Sequence, residues 1–407
     1  MERTEISWDG NLDWHALEAY TPVLARRVGD RNEWVVGVGV AEAPLDMPWN
    51  AERPCVGYAG YDLKNRFEDL GTRHPDHDGF AVSAWWIPRI AIHLKPGIAV
   101  LWTGAGELED GMELFRRLTA PPREAARQYG ALWRAETAEE RYLRQVNALL
   151  GHIQRGDIYE VNYCMQRTAA WSGMDPYAAF AQLLKYSDAP HAAFLREGDR
   201  FALCASPERF FRLEGRQLFT QPMKGTRPRG STPEEDKALA GELAGDAKER
   251  AENIMAVDVA RNDFSRVAEP GTVQVNELCS VKTFRNVHQM VSTVRATVVA
   301  GTTPADILRA TFPMASMTGA PKVRAMQLIE EVEDMRRGLY SGTIGFFLPD
   351  GTADLNVVIR TITWDAATGR ASLITGGAIT AASDPQAEYE ECSHKARSVL
   401  NAFGHVE

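Results

Sequence analysis

The sequence predicts an α+β fold on three observations. Short apolar runs broken by Gly, Pro and Asp recur along it, helical spacing falls between groups of those runs, and the pattern is one of hairpins rather than of a doubly wound parallel sheet. Residues 34–40, 80–86, 90–94 and 98–102 are such runs and read as antiparallel strands joined by turns. A polar stretch bearing Pro and Arg, residues 120–127, leads into 138–155, where Tyr142, Val146, Leu149, Leu150 and Ile153 follow the helical period. A boundary is therefore expected near 125–138, between a strand-rich region, 1–130, and a second region, 138–404. Beyond it, strands are expected at 201–205, 210–213, 218–223, 342–348, 355–364 and 371–375, and helices at 247–262, 321–334 and 385–403. No internal repeat and no low-complexity tract interrupts this order.

The chain has 407 residues, enough for two to four domains or one large body. Its 44% hydrophobic and 25% charged residues are those of an ordinary globular protein, which excludes disorder for most of it. Lys and Arg total 45 against 55 for Asp and Glu, a formal charge of −10 that argues against a general electrostatic grip on nucleic acid or an anionic membrane. An anionic substrate would need positive charge gathered locally. No apolar stretch reaches the ~18 residues of a membrane span, and the longest, 84–94, is broken by Pro88 and Arg89. The start at Met1 lacks a basic segment followed by an apolar one. Cys55, Cys164, Cys204, Cys279 and Cys392 are odd in number and have no CxxC spacing, so a reducing cytoplasm is the expected location.

Several residues are of types that carry chemistry. Lys224, beside Gly225 where a strand runs into a turn, can act as a nucleophile only if its amine is neutral. Glu208 follows an apolar strand and Pro207, where partial burial would raise its pKa and let it protonate a leaving hydroxyl. Glu252 lies beside Ala251 and Met255 on the inward side of a helix, while Glu388, Glu391 and Lys395 share one face of another. Carboxylates so placed suit a hard cation such as Mg²⁺, which takes one or two of them plus water and substrate oxygens. Residues 316–322 open a helix near Pro321, a setting that favours an anion, and Gly376-Gly377 after a strand permits close backbone approach to a ligand. Taken singly, each feature is more often structural: a solvated lysine, a surface pair, an exposed i,i+4 ion pair.

Their order is more specific. Ser206-Pro-Glu-Arg-Phe210, Pro222-Met-Lys-Gly-Thr226, Arg250-Ala-Glu-Asn253 with Arg261-Asn-Asp263, Val287-His-Gln-Met-Val-Ser-Thr-Val294, Thr318-Gly-Ala-Pro-Lys322, Asn356-Val-Val-Ile-Arg-Thr361 and Glu388-Tyr-Glu-Glu391 follow one another along the chain. Over residues 138–402 this succession resembles the chorismate-utilising enzymes, and Gly57-Tyr-Ala-Gly-Tyr-Asp-Leu-Lys-Asn65 resembles their amino-terminal region less specifically. The resemblance implies two large antiparallel sheets packed as a central sandwich with helices outside, so that 1–130 and 138–404 form one body. Within the family the chain is most similar to the branch that makes 4-amino-4-deoxychorismate for p-aminobenzoate and folate synthesis. That branch typically carries Lys in Pro-Ile-Lys-Gly-Thr, where anthranilate-forming members carry Ala. The anthranilate-forming branch is the alternative, and a non-catalytic chorismate-binding paralogue is another.

By that resemblance Lys224 attacks C2 of chorismate, Glu208 assists loss of the C4 hydroxyl, and ammonia enters at C4 and displaces the lysine. Glu252 and Glu391 are implied as Mg²⁺ ligands. Arg360, Lys395, Gly376 and Gly377 are implied to hold substrate carboxylates, and Thr318, Tyr340 and His288 to line the pocket. Lys322 is expected among the cations gathered there, and Mg²⁺, Lys395 and burial are expected to lower the Lys224 pKa. The chain departs from the pattern in three places. Glu160 stands where water-activating members have Lys and aminases often Gln, Met314-Ala315 replace a pair of small residues, and Cys392 replaces a common Thr. None of the five cysteines lies in a Gly-x-Cys-x-Gly context, so ammonia is expected from solution or from a separate glutamine amidotransferase subunit. No Leu-Leu-Glu-Ser sequence marks a tryptophan site.

Overall fold

Residues 90–94 show how the apolar runs fold. In Ile-Ala-Ile-His-Leu successive side chains point to opposite faces. Ile90, Ile92 and Leu94 join a core with Leu114, Phe115 and Leu118 of the Leu108–Leu118 helix, while Ala91 packs with Tyr58, Trp86 and Phe346 of a second sheet. Both faces are buried, so the run does not alternate with exposed polar residues; its one polar member, His93, is buried with Nε2 at 2.7 Å from Glu33 Oε1. The computed structural model describes residues 1–404 except 9, 30, 31, 46, 48–51, 124–126, 129, 130 and 286. Part of the stretch where the sequence predicts its boundary thus lies outside the described residues.

Among the described residues, twelve strands form one sheet and ten another, and the pairings are antiparallel. The expected α+β class and the two large sheets are both present. The sheets meet through Leu24, Val35, Leu195 and Ala202 of the first and Val56, Tyr58, Ile344 and Phe346 of the second. Helices cover the outside, among them Glu139–Gln154 and Pro385–Leu400, which pack on Glu160–Ala170 and Arg370–Ile379 of the first sheet. Strand pairing joins early and late sequence: Val23–Arg27 pairs with Ala193–Glu197, and Cys55–Ala59 with Thr343–Phe347. No helix among the described residues is long and apolar enough to cross a membrane.

Three expected elements differ, and each difference shapes the interior. The strand expected at 218–223 is two, Gln217–Thr220 and Met223–Pro228, because Pro222 has no N–H to give to a ladder. The strand expected at 355–364 is also two, Ala353–Asn356 in the second sheet and Thr361–Asp365 in the first. The chain crosses between sheets there, with Arg360 in the left-handed region at φ +53°. Gly376 and Gly377 lie inside the strand Arg370–Ile379 rather than in a turn after it.

Arg337 holds three separate segments of the interior together. Its guanidinium, 2% exposed, donates to both carboxylate oxygens of Glu333 at 2.6 and 2.9 Å, to the Met317 carbonyl at 2.7 Å and to the Asn162 carbonyl at 2.8 Å. Removing one partner of a buried, hydrogen-bonded pair leaves the other charge uncompensated, at a cost of about 3–5 kcal/mol. Arg337→Ala is expected to lower the free energy of unfolding by about that amount, measured as a fall in the urea midpoint. A midpoint unchanged from the parent would show that Arg337 has no such role.

Candidate active site

A cleft of about 470 Å³ opens between the strands Met223–Pro228 and Arg370–Ile379 and the helices Ala247–Ser265 and Pro385–Leu400. Lys224 reaches it from a strand that pairs with Val287–Thr297. The register slips between Lys224 and Thr226, a bulge that Gly225 permits at φ +69°. A side chain at Gly225 would also collide with Glu249 and Leu243. The bulge turns Lys224 inward, where it is 9% exposed and donates to Glu160 Oε1 at 2.7 Å.

This corrects the expected protonation of Lys224. Burial alone would lower its pKa, but Glu160, Glu252 and Glu208 together outweigh burial and raise it above the ordinary lysine value. The amine is therefore held as an ammonium. Glu208, in contrast, is pushed up to about 7 by burial, partly offset by Ser316, Lys224 and the Met223 N–H. Glu252 is likewise raised to about 7, first by burial and then by Glu160 and Glu249, against Lys224 and Lys248. The site thus pairs an amine that resists losing its proton with a carboxyl poised to give one.

The helix Ala247–Ser265 is capped by Asp246, which accepts from the N–H groups of Lys248 at 3.0 Å and Glu249 at 3.1 Å. The cap starts the helix where Lys248, Glu249 and Glu252 fall on the cleft side. Lys248 Nζ donates to Glu388 Oε1 at 2.8 Å and lies 3.8 Å from Glu252 Oε1, which links the two helices. Across the cleft Lys395 Nζ donates to Glu391 Oε1 at 2.6 Å and to the Gly376 carbonyl at 2.8 Å. Recession in the cleft raises the Glu391 carboxyl, but Lys395, Lys248 and Lys224 outweigh that and hold it below its ordinary value. Arg360 projects into the cleft from the left-handed crossing, and its guanidinium donates to Ser398. No group of three or more His, Cys, Asp or Glu among the described residues is arranged to enclose a metal ion.

The family of chorismate binding enzymes matches residues 28–401. The chain belongs to the chorismate binding enzymes. It is 42% identical over 359 residues to aminodeoxychorismate synthase component 1 of Escherichia coli, covering 87% of this chain and 77% of that protein. It is 38% identical over 356 residues to anthranilate synthase component 1 of Thermus thermophilus, covering 85% of this chain and 76% of that protein. Anthranilate synthase component I of Streptococcus pneumoniae shares the fold, with a TM-score of 0.77 over 98% of this chain and 92% of that one at 24% identity.

In this chorismate binding enzyme Lys224, Glu208, Glu252, Glu391, Lys395, Arg360, Tyr340 and Gly376 all line one cleft. Four other expected residues lie elsewhere. His288 is 1% exposed and faces away, with Nε2 at 2.9 Å from Asp236 and Nδ1 at 3.0 Å from Thr283. Its neighbours Val287 and Gln289 line the cleft instead, as the two-residue period of a strand requires. Thr318 is fully buried, its hydroxyl donating to the Met314 carbonyl at 3.2 Å. Gly377 faces the Pro385–Leu400 helix, where a Cβ would stand 3.1 Å from Glu388 Oε2. Lys322 turns to Asp263 at 2.6 Å and to the carbonyls of Thr311 and Pro313, outside the cleft.

Lys248 and Glu249 were not singled out for this site by the sequence, whereas Glu388 stood among the candidate cation-binding carboxylates and Ser316 at the start of the anion-favouring segment. The i,i+4 spacing of Lys248 and Glu252 was the available signal for the first. Glu160 is the decisive neighbour of Lys224, so Glu160→Gln removes the charge that stabilises the ammonium. Labelling of Lys224 by an amine-selective reagent, followed by peptide mass spectrometry across pH, is expected to reach its midpoint at lower pH in the variant. An unchanged midpoint would mean that Glu160 does not control the lysine.

Proposed function

We propose that this protein aminates chorismate, converting it with ammonia to 4-amino-4-deoxychorismate and water. The observation that carries the reading is Lys224, a buried lysine that faces the same cleft as the protonatable Glu208. Lys224, as the free amine, forms a bond to C2; the ring double bonds shift and Glu208 gives its proton to the departing C4 hydroxyl. Ammonia then bonds to C4, the double bonds shift back, and Lys224 leaves C2 as an amine while the Glu208 carboxylate recovers a proton from the incoming nitrogen. Atoms and charge balance, and the enolpyruvyl group stays on the ring. Arg360 and Lys395 offer positive charge to the substrate carboxylates, with Arg360 able to bind one in a bidentate manner. An anthranilate-forming activity would leave a buried lysine at 224 without use.

The donor set fits a hard divalent cation. Glu388 Oε2 is buried with no hydrogen-bond partner, and the Lys248 ammonium occupies the position between Glu388 and Glu252 where positive charge is demanded. Glu252 and Glu391 would hold Mg²⁺, with Glu388 and Glu249 behind them. When bound, the ion would neutralise a substrate carboxylate. We place the reaction in the cytoplasm, in keeping with five buried cysteines that form no disulfide. The relatives' designation as component 1 supports a partner chain, proposed here as a glutamine amidotransferase that delivers the ammonia.

Purified protein incubated with chorismate, Mg²⁺ and ammonium at mildly alkaline pH is expected to yield 4-amino-4-deoxychorismate, identified by chromatography and mass spectrometry. Lys224→Ala should reduce turnover to background, and Glu208→Gln should lower kcat by about 10²–10⁴-fold, the usual contribution of a general acid. Anthranilate plus pyruvate as products would overturn the reading, and chorismate bound without turnover would favour the non-catalytic alternative.

A further inference from the structure

Two helices bring carboxylates three residues apart to the space between them, Glu249 and Glu252 from Ala247–Ser265 and Glu388 and Glu391 from Pro385–Leu400. Lys248 is the cation that joins the two pairs. Its Nζ donates to Glu388 Oε1 at 2.8 Å and lies 3.8 Å from Glu252 Oε1, and Glu391 is near enough to attract it. Three features set this lysine apart from Lys395 across the cleft. Lys395 also donates to the Gly376 carbonyl, whereas the partners of the Lys248 ammonium among the described residues are carboxylates. Lys248 is the second residue of its helix, where the helix dipole disfavours a cation, so the carboxylates are what hold it there. Its side chain is 35% exposed and lines the cleft, so it can swing into solvent without crossing packed core. Glu388, in contrast, is 1% exposed, and its Oε2 has no hydrogen-bond partner, so its demand for positive charge is only half met.

We propose that Lys248 is a displaceable internal counter-ion, which holds Glu252 and Glu388 together until a divalent cation takes those carboxylates in exchange for its ammonium. The inference rests on the reading of Glu252 and Glu391 as ligands of that cation. Exchange is favoured over simple addition for two reasons. Among the described residues no three carboxylates converge on one point, so the ammonium spaces groups that Mg²⁺ would have to draw together at shorter range. An ion and an ammonium on the same carboxylates would also repel each other in a recess where little water screens them. The lysine has a use before the ion arrives. Without it Glu249, Glu252, Glu388 and Glu391 would face one another, and the buried Glu388 would be left uncompensated. Once displaced, the ammonium turns out into the mouth of the cleft, and the carboxylates stay neutralised in both states.

The test needs no turnover. The parent protein, freed of metal with a chelator and titrated with Mg²⁺ at fixed pH without chorismate, is pulsed with an amine-selective reagent and mapped by peptide mass spectrometry. The exposed Lys185 serves as internal standard. Labelling of Lys248 is expected to rise about tenfold, the equivalent of releasing one charged hydrogen bond, with a midpoint at the Mg²⁺ Kd found by calorimetry. Lys248→Met keeps the length of the side chain and removes the competing charge. It should bind Mg²⁺ about tenfold tighter than the parent, and Mg²⁺ should raise its Tm by more than it raises the parent's. Should the variant fail to fold without the ion, labelling of the parent decides alone. Mg²⁺ binding to the parent with Lys248 labelling unchanged or lowered overturns the exchange and leaves the cation site standing, as does a Kd no tighter in the folded variant. Binding to neither protein overturns both the exchange and the cation reading.

Discussion

A charge removed from water must find its opposite, and in this protein that requirement spans the two sheets. Lys224 belongs to the ten-stranded sheet and Glu160 to the twelve-stranded one, and their 2.7 Å contact closes the interior end of the cleft. Arg26 and Asp354, both fully buried, tie the same sheets at 2.7 Å. Such pairs add little net stability, since desolvation offsets the attraction. They restrict instead how the sheets can sit: a shift that separates either pair leaves an uncompensated charge in the core. The cleft inherits its shape from that restriction.

The same requirement organises the chemistry. The chain carries a formal charge of −10, yet Lys224, Lys248, Arg360 and Lys395 meet around one cavity. Glu160, Glu252 and Glu391 stand beside these cations, so much of that positive charge is offset before any substrate arrives. A dianionic substrate then competes with the protein's own carboxylates for its lysines and arginine. That competition explains how an ammonium held by Glu160 can coexist with a proposed nucleophile. Whatever draws negative charge away from Lys224, a divalent cation on Glu252 included, favours release of its proton.

Much of this was legible in the sequence, for physical reasons that differ from residue to residue. Strands such as Ile90–Lys95 announce themselves because both of their faces are buried. The same property hid the break at residues 357–360, since an apolar run reads as one strand whether or not it changes sheet. The left-handed Arg360 that the break creates carries a cleft guanidinium, so the missed element and the found residue are one feature. His288 was misplaced because a motif gives a position along a strand while register decides the face. Lys322 was misplaced because its long side chain reaches the nearest buried carboxylate, Asp263, rather than the more distant cleft. The protonation of Lys224 was out of reach because Glu160 precedes it by 64 residues and meets it only when the sheets pack.

The central claim is that Lys224 bonds covalently to the substrate ring. The most direct measurement is peptide mapping by mass spectrometry after the protein is mixed with chorismate and Mg²⁺ in the absence of ammonia and rapidly denatured. The account predicts a dehydrated chorismate adduct on the peptide containing Lys224, absent when ammonium is present in excess. An adduct on Lys248 or Lys395, or none on any lysine while amination proceeds, would contradict it.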